Sequence, residues 1–343
     1  MRKLLNTLYI TTQGAYLKKD GETVAVKIDG SIRLRVPIHT LSGIVCFGNI
    51  SLSPFLMGLC AERNVTVSFL TESGKFLARV VGPISGNVLL RRQQYRMADD
   101  HEKCTALAAN FLFGKIYNSR KVLERAKRDH SDKIKKERVV KESQNLKYTL
   151  RNIPRTQNLD TLRGLEGDAA NSYFSVFDEL ITSQKENFYF HSRNRRPPTD
   201  NVNCLLSFLY TILLHDVRSA LETVGLDPQV GFLHKDRPGR PSLALDMMEE
   251  FRPFIADRLA LNLINLNQVR PDGFKTSSTG AVFMEDETRK QVLSAYQKRK
   301  QDKITHPFLG EKVHVGILYY IQAQLLARTI RGDLDGYPPF LWK

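Results

Sequence analysis

The hydrophobic period of this chain changes once, and that change limits what it can fold into. From Leu5 to about Gly82, apolar and polar residues alternate over short runs: TLYITT, ETVAVKI, SIRLRVPI, GIVCFG, VTVSFLT and KFLARVV. Turn pairs such as Asp20–Gly21, Asp29–Gly30 and Ser73–Gly74 part them. A period of two sends every second side chain to the same sheet face, so this part must build strands with one buried face. One stretch breaks the pattern. SPFLMGLCAERN at 53–64 places Ser53 as an N-cap and Pro54 at the first helical position, which predicts a single packed helix. Beyond about Leu89 the spacing turns helical, in EGDAANSYFSVFDELI, VNCLLSFLYTILLHDVRSALETVG, LALDMMEEFRPFIADRLALNLIN, DETRKQVLSAYQKRK and HVGILYYIQAQLLARTI. The expected class is therefore α+β, with an N-terminal β-rich, β-sandwich-like domain over 1–88 and a C-terminal all-α domain over 89–343. Residues 115–151 are so charged that they read either as a solvated helical arm or as a mobile linker.

Charge narrows the partners. The 51 Lys plus Arg outnumber 36 Asp plus Glu for a net +15, a balance suited to polyanions, although solvated lysines alone would give the same sum. The longest strongly apolar run, CLLSFLYTILL at 204–214, is shorter than the roughly 20 residues a bilayer requires. With no signal-peptide pattern at the amino terminus, a cytoplasmic location and no membrane partner are expected. Cys46, Cys60, Cys104 and Cys204 are far apart in apolar surroundings, which argues against a disulfide framework or a zinc ribbon. HExxH, P-loop and GxSxG patterns are all missing.

The chemistry concentrates in GFLHKDRPGRPSLALDMMEEFRP at 231–253. His234 stands in a basic loop broken by prolines. Asp246, Glu249 and Glu250 follow at i, i+3 and i+4, on neighbouring parts of one helix face. Such a cluster is either a solvated acidic face or a group whose repulsion a cation offsets. Glu166, in RGLEGDAANSYF, opens a helix whose Ala169, Ala170, Tyr173, Phe174 and Phe177 form a packed face, and its flanking glycines permit close approach. One imidazole and two carboxylates from separate segments suit a divalent cation with open positions for substrate oxygens. The imidazole favours Mn2+ over Mg2+, which prefers oxygen, and the choice between them stays open. Arg237 and Arg240 flank DRPGRP, Arg252 follows the acidic turn, HSRNRRPPTDNVN adds Arg193, Arg195 and Arg196, and a further cluster runs from Arg289 to Lys303. Each alone reads as a solvated face. Gathered around one metal site they suggest a footprint the size of a DNA duplex.

Long stretches of the chain, EGDAANSYF, RRPPTDNVNCLLSFLYTILL, VGLDPQVGFLHKDRPGRPSLALDMMEEFRP and HPFLGEKVHVGILYYIQAQLLARTIRGDLDGYPPFLWK, resemble the CRISPR-associated spacer integrases. The closing YPPFLWK looks like the forms found beside Cascade-type systems, subtype I-C. The resemblance implies that Glu166, His234 and Glu249 are the metal ligands and catalytic residues. It makes Asp246 a supporting or alternative ligand, and Asn203, Tyr210 and Tyr173 supports of the catalytic face, for which helix packing is an equal explanation. Arg237, Arg240, Arg252, Arg195 and Arg196 are the candidate DNA contacts. Further implications are Mn2+ or Mg2+ as cofactor, double-stranded DNA (spacer precursor and CRISPR repeat) as substrate, and a homodimer through the β-rich domain. A small ferredoxin-like adaptation partner would bridge two such dimers. The implied reaction is attack by the 3′ hydroxyl of a captured DNA fragment on a phosphodiester of the array. A nucleophile supplied by DNA would explain why no activated Ser, Cys or Tyr is evident. The competing readings are a stand-alone metal-dependent nuclease acting on branched DNA and a non-catalytic nucleic-acid scaffold.

Overall fold

Strands form where apolar and β-branched residues alternate. In this computed structural model, which describes residues 6–72, 74, 76–82, 88–129 and 132–343, the N-terminal segment contains β1 (Asn6–Ile10), β2 (Tyr16–Asp20), β3 (Thr23–Ile28), β4 (Ser31–Pro37), β5 (Leu41–Phe47), β6 (Ser51–Leu52), α1 (Pro54–Glu62), β7 (Thr66–Leu70) and β8 (Phe76–Val80). Two four-stranded sheets result, ordered β1-β5-β7-β8 and β4-β3-β2-β6. Leu17, Val24 and Val26 of one sheet share a core with Ile44, Cys46 and Val67 of the other and with Leu56, Leu59 and Cys60 of α1. The Ser53 hydroxyl caps α1 by accepting from the Leu56 amide at 3.2 Å, as the sequence predicts. At the β3–β4 hairpin both Asp29 (φ 50°) and Gly30 (φ 76°) are left-handed, as a tight two-residue turn requires. Ser73 and the PISGN stretch at 83–87 lie outside the described residues.

The pattern does not reveal β2, YLKKD, which buries only Leu17. That strand exists through its ladder with β3, from Tyr16 opposite Lys27 to Asp20 opposite Thr23.

The remaining elements are α2 (Val88–Asp99), α3 (His101–Asp129), α4 (Lys136–Asn152), α5 (Leu159–Ser175), α6 (Asn201–Thr223), α7 (Ser242–Glu249), α8 (Arg258–Asn265), β9 (Phe274–Thr276), β10 (Val282–Met284), α9 (Asp286–Gln301), β11 (Lys303–Thr305), β12 (Lys312–His314) and α10 (Leu318–Arg331). Residues 252–257 form a short π-helical stretch between α7 and α8. The chain divides into two compact units, one of residues 1–85 with 284–301, the other of 86–283 with 302–343.

Several expectations are corrected here. A single cut near residue 88 does not describe the units, because α9 joins the first one. Val292, Leu293 and Tyr296 of α9 are buried, and the Gln297 amide donates to the Thr7 carbonyl at 2.9 Å. Nor is the rest wholly α, since β9 pairs with β10 and β11 with β12. The charged stretch 115–151 is neither a free arm nor a linker. Apart from residues 130 and 131, which are outside the described set, it lies mostly in α3 and α4. These helices bury Ile116, Val122, Leu123, Val139, Leu146 and Leu150. Helix α3 packs against α4, α5 and α7, so most of its charges lie on the outer face of a core element. The apolar run at 204–214 extends into the 23-residue α6, long and apolar enough by composition to cross a membrane. Its Leu205, Leu209, Ile212 and Leu213 are buried, and it packs against α7 and α10.

Candidate active site

Four segments of the second unit converge. Helix α5 is capped by Asn158, whose side chain accepts from the amides of Asp160 and Thr161, and about two turns on it presents Glu166. The Arg163 side chain donates to the Leu233 carbonyl at 3.0 Å, tying α5 to the loop that carries His234. Helix α7 brings Glu249 and Asp246, and α3 brings Lys115.

Asp246 is fully buried and acts on the loop, not on open space. Its carboxylate accepts from the amides of Phe232 at 2.6 Å, Leu233 at 3.0 Å and His234 at 3.0 Å, and meets the His234 Nδ1 at 2.6 Å. Engaging Nδ1 leaves Nε2 to face Glu249, whose Oε1 lies 4.0 Å away. Gly231 permits this closure, since a Cβ there would stand 2.7 Å from Asp246 Oδ2.

Glu249 is 2% exposed. Its Oε1 pairs with Arg252 Nη1 at 2.7 Å, and its Oε2 lies 3.0 Å from Lys115 Nζ. Lys115 Nζ also contacts Glu166 Oε1, so one ammonium lies between both carboxylates. Burial alone would raise the Glu249 carboxyl, but the charges of Arg252, Lys115 and His234 outweigh it and hold the group at about 2. Glu249 Oε2 makes no well-aligned hydrogen bond and has the Lys115 ammonium as its charged neighbour. A buried, ionised oxygen already facing a positive charge suits a cation, and the imidazole and second carboxylate nearby are donor types that a divalent ion accepts. As the side chains stand, no three His, Cys, Asp or Glu residues are gathered in ligating positions among the described residues, and the Lys115 ammonium lies between the two glutamates.

Glu250 does not belong to this group, although the sequence places it on the same helix face. Helix α7 ends at Glu249, and the next side chain turns into the core. There Tyr337 Oη at 2.7 Å, the Phe340 amide at 2.6 Å and Gln322 Nε2 at 3.2 Å donate to it. The acidic trio is thus buried in three directions and is not a solvated face. At Gly164 and Gly167 a Cβ would meet nothing within 4 Å among the described residues, so the close approach of another backbone expected there is not made.

Beside the carboxylates is a cavity of about 50 Å3 lined by Lys115, Glu166, Tyr173, Arg193, Arg195, Tyr210, Arg252 and Asp257 among others. Tyr210 and Tyr173 donate to Asp257 at 2.6 and 3.0 Å. Burial pushes the Asp257 carboxyl up to about 6 against the pull of these two phenols. The guanidinium groups of Arg193 and Arg252 lie 5.3 and 4.9 Å from the Tyr210 ring centre, and each keeps a buried Nε without a partner. Asn203 reaches the cavity only indirectly. It accepts from Arg193 Nη1 at 2.7 Å and donates to the Ser192 carbonyl at 2.8 Å, fixing the 192–194 loop.

The predicted DNA contacts divide. Arg195 and Arg252 line the cavity, Arg196 and Arg237 are exposed, and Arg240 is half-buried. The basic run from Arg289 divides too: Arg289 and Lys300 are each 3% exposed, whereas Lys290, Lys298 and Lys303 are exposed. Arg289 is spent on the Glu72 carbonyl and Asp286. Sequence reasoning missed Lys115 and Asp257. For Lys115 the signal was there, in Phe111, Leu112, Ile116, Val122 and Leu123 at helical spacing around it.

An α+β architecture with a buried carboxylate–imidazole–lysine cluster under arginines defines a protein equipped to handle phosphate-bearing substrates. The family model described as CRISPR associated protein Cas1 matches residues 8–298, and the chain belongs to that family. Over the full length of both chains it is 56% identical to the CRISPR-associated endonuclease Cas1 1 of Chlorobaculum tepidum and 51% identical to the CRISPR-associated endonuclease Cas1 2 of Rhodospirillum rubrum. Among solved structures it is similar to a Cas1 protein from Thermotoga maritima, with TM-score 0.81 and 23% identity over 98% of this chain and 100% of that one. It is likewise similar to a casposase bound to its integration product, with TM-score 0.85 and 21% identity over 99% and 95%.

Proposed function

We propose that Glu166, His234 and Glu249 hold one divalent cation, Mn2+ or Mg2+. With it the protein joins the 3′ hydroxyls of captured DNA fragments to a CRISPR array. The observation that carries this reading is the meeting of three separate segments at one buried carboxylate: Lys115 Nζ bridges Glu166 and Glu249 Oε2, and His234 Nε2 lies 4.0 Å from Glu249 Oε1. Family membership supplies the endonuclease and integrase setting of CRISPR adaptation.

When bound, the cation would polarise the phosphoryl oxygens and stabilise the departing 3′ oxygen. The chain's own residues prepare the rest. Asp246 fixes the imidazole so that Nε2 faces Glu249. Arg193 and Arg252 offer buried Nε donors to phosphate. The attacking oxygen comes from the donor DNA: its bond to phosphorus forms as the bond between phosphorus and the target 3′ oxygen breaks. No protein nucleophile is needed, and the protein's share is alignment and charge.

Double-stranded spacer precursor and repeat DNA are the substrates in this reading. Its assembly is a homodimer through the β-rich unit, joined by a small ferredoxin-like adaptation partner in the cytoplasm. The YPPFLWK segment at 337–343 supports subtype I-C.

The test is reconstitution with that partner, a supercoiled array plasmid and donor DNA. Glu166→Gln, His234→Ala and Glu249→Gln should each abolish strand transfer while salt-sensitive DNA binding persists. Wild-type joining in all three would overturn the assignment. A donor ending in a dideoxynucleotide separates the second reading, a stand-alone nuclease on branched DNA, because hydrolysis would continue where joining stops.

A further inference from the structure

Lys115 occupies the place where a cation would sit. Its side chain is 13% exposed, and its ammonium touches Glu166 Oε1 and lies 3.0 Å from Glu249 Oε2. Two positive centres cannot share that space, since at such separations in a partly buried site their repulsion is severe. A divalent ion and the lysine must therefore exchange.

The backbone around Lys115 is held firmly, so the exchange falls to the side chain. At Gly114, a Cβ would meet Glu250 Cγ at 2.8 Å, which places α3 hard against the 249–250 turn. One turn later the Asn118 amide donates to the carbonyls of Glu250 at 2.7 Å and Phe340 at 2.8 Å. The lysine's four-carbon stem is free to swing where the helix is not. A destination is at hand, because Lys115 also lines the cavity that Arg193, Arg195 and Arg252 make basic.

The geometry points to Lys115 as an internal counter-cation. It holds Glu166 and Glu249 in register until a divalent ion displaces it, and then directs its ammonium to a phosphate of the bound DNA. This inference rests on the metal reading above. It makes Lys115 a positioning residue that holds the two carboxyl groups in place in the metal-free protein and lowers the affinity for free metal. It couples metal to DNA, since each phosphate that captures the ammonium removes a competitor from the carboxylates.

The experiment is a Mn2+ titration, followed by the paramagnetic resonance of free Mn2+, of wild type, Lys115→Met, Lys115→Gln and Lys115→Arg without DNA. Removing the competing charge should tighten Mn2+ binding about tenfold or more in the Met and Gln variants. Saturating Mn2+ should then raise their melting temperatures further than it raises that of wild type. The Arg variant, which keeps the charge, should bind like wild type. A lysine that only braced the fold would give weaker binding when removed. Equal or weaker Mn2+ affinity in a variant that melts cooperatively would overturn the role of Lys115 and leave the metal site standing. Failure of all four proteins to bind Mn2+ would sink the metal reading, and this inference with it. The Gln variant, closer in length and polarity, guards against misfolding of the Met variant.

Discussion

Asp246 Oδ1 and His234 Nδ1 are 2.6 Å apart, and the same carboxylate gathers three consecutive backbone amides from Phe232 to His234. One buried acid therefore shapes the loop and orients the imidazole at once. Asp246→Asn replaces one acceptor oxygen with a donor that faces N–H groups. It should cost about 1.5–3 kcal/mol of stability, as loss of a charge-assisted bond does. Under the metal reading it should also weaken Mn2+ binding by about 10–100-fold. Urea denaturation and a Mn2+ titration read the two effects separately.

Asp257 sets a pH dependence. Its folded carboxyl is raised from 3.8 to about 6, chiefly by burial. Between those values the folded chain binds a proton that the unfolded chain releases, so stability from this group is lost as pH rises from about 4 through 6. The slope is at most about 1.4 kcal/mol per pH unit. In Asp257→Asn, Tyr173 and Tyr210 keep a polar partner, and that slope should vanish. Chemical denaturation between pH 4.5 and 7.5 compares the two proteins.

Two glycines near the site should respond in opposite directions to alanine. At Gly231 the added carbon would meet Asp246 Oδ2 and the Ser242 carbonyl carbon, both at 2.7 Å, so Gly231→Ala should destabilise by about 1–3 kcal/mol. At Gly167, inside α5, nothing lies within 4 Å. Gly167→Ala should stabilise by about 0.5–1 kcal/mol through helix propensity. Thermal melts of both variants decide.

Basic residues should divide by burial. Arg237 is exposed, and Arg237→Ala should weaken DNA binding evenly across sequences and reduce the salt slope by about one. Arg289, buried against the Glu72 carbonyl, should on replacement by alanine lower the melting temperature. Binding isotherms at several salt concentrations, with parallel melts, separate the two behaviours.

The two-period pattern was enough to place the first-unit sheets and most helices, because it reflects which side chains face a core. Long motifs singled out Glu166, His234 and Glu249, and the fold brings Glu166 to Lys115 and His234 to Glu249. Lys115 was hidden by the charge around it: RKVLERAKRD reads as solvated until Val122, Leu123 and Ala126 are seen as a stripe continuing from Phe111 and Leu112. Asp257 was hidden for the opposite reason, as one acid within an apolar stretch, and the π-helical path of 252–257 alters which way it faces. Glu250 shows where spacing fails. Adjacent helical positions point about 100° apart, and Glu250, still αR at the C-cap, is turned towards Tyr337 and Phe340 while Glu249 faces Lys115.

The tie between Glu250 and Phe340 crosses 90 positions of sequence. While the ribosome is still making the residues between them, that acid has neither the Phe340 amide nor the Tyr337 hydroxyl to quiet it, and the turn bearing Glu249 lacks its anchor. The turn that carries Glu249 therefore acquires its full support only when the segment around Phe340 has docked against it.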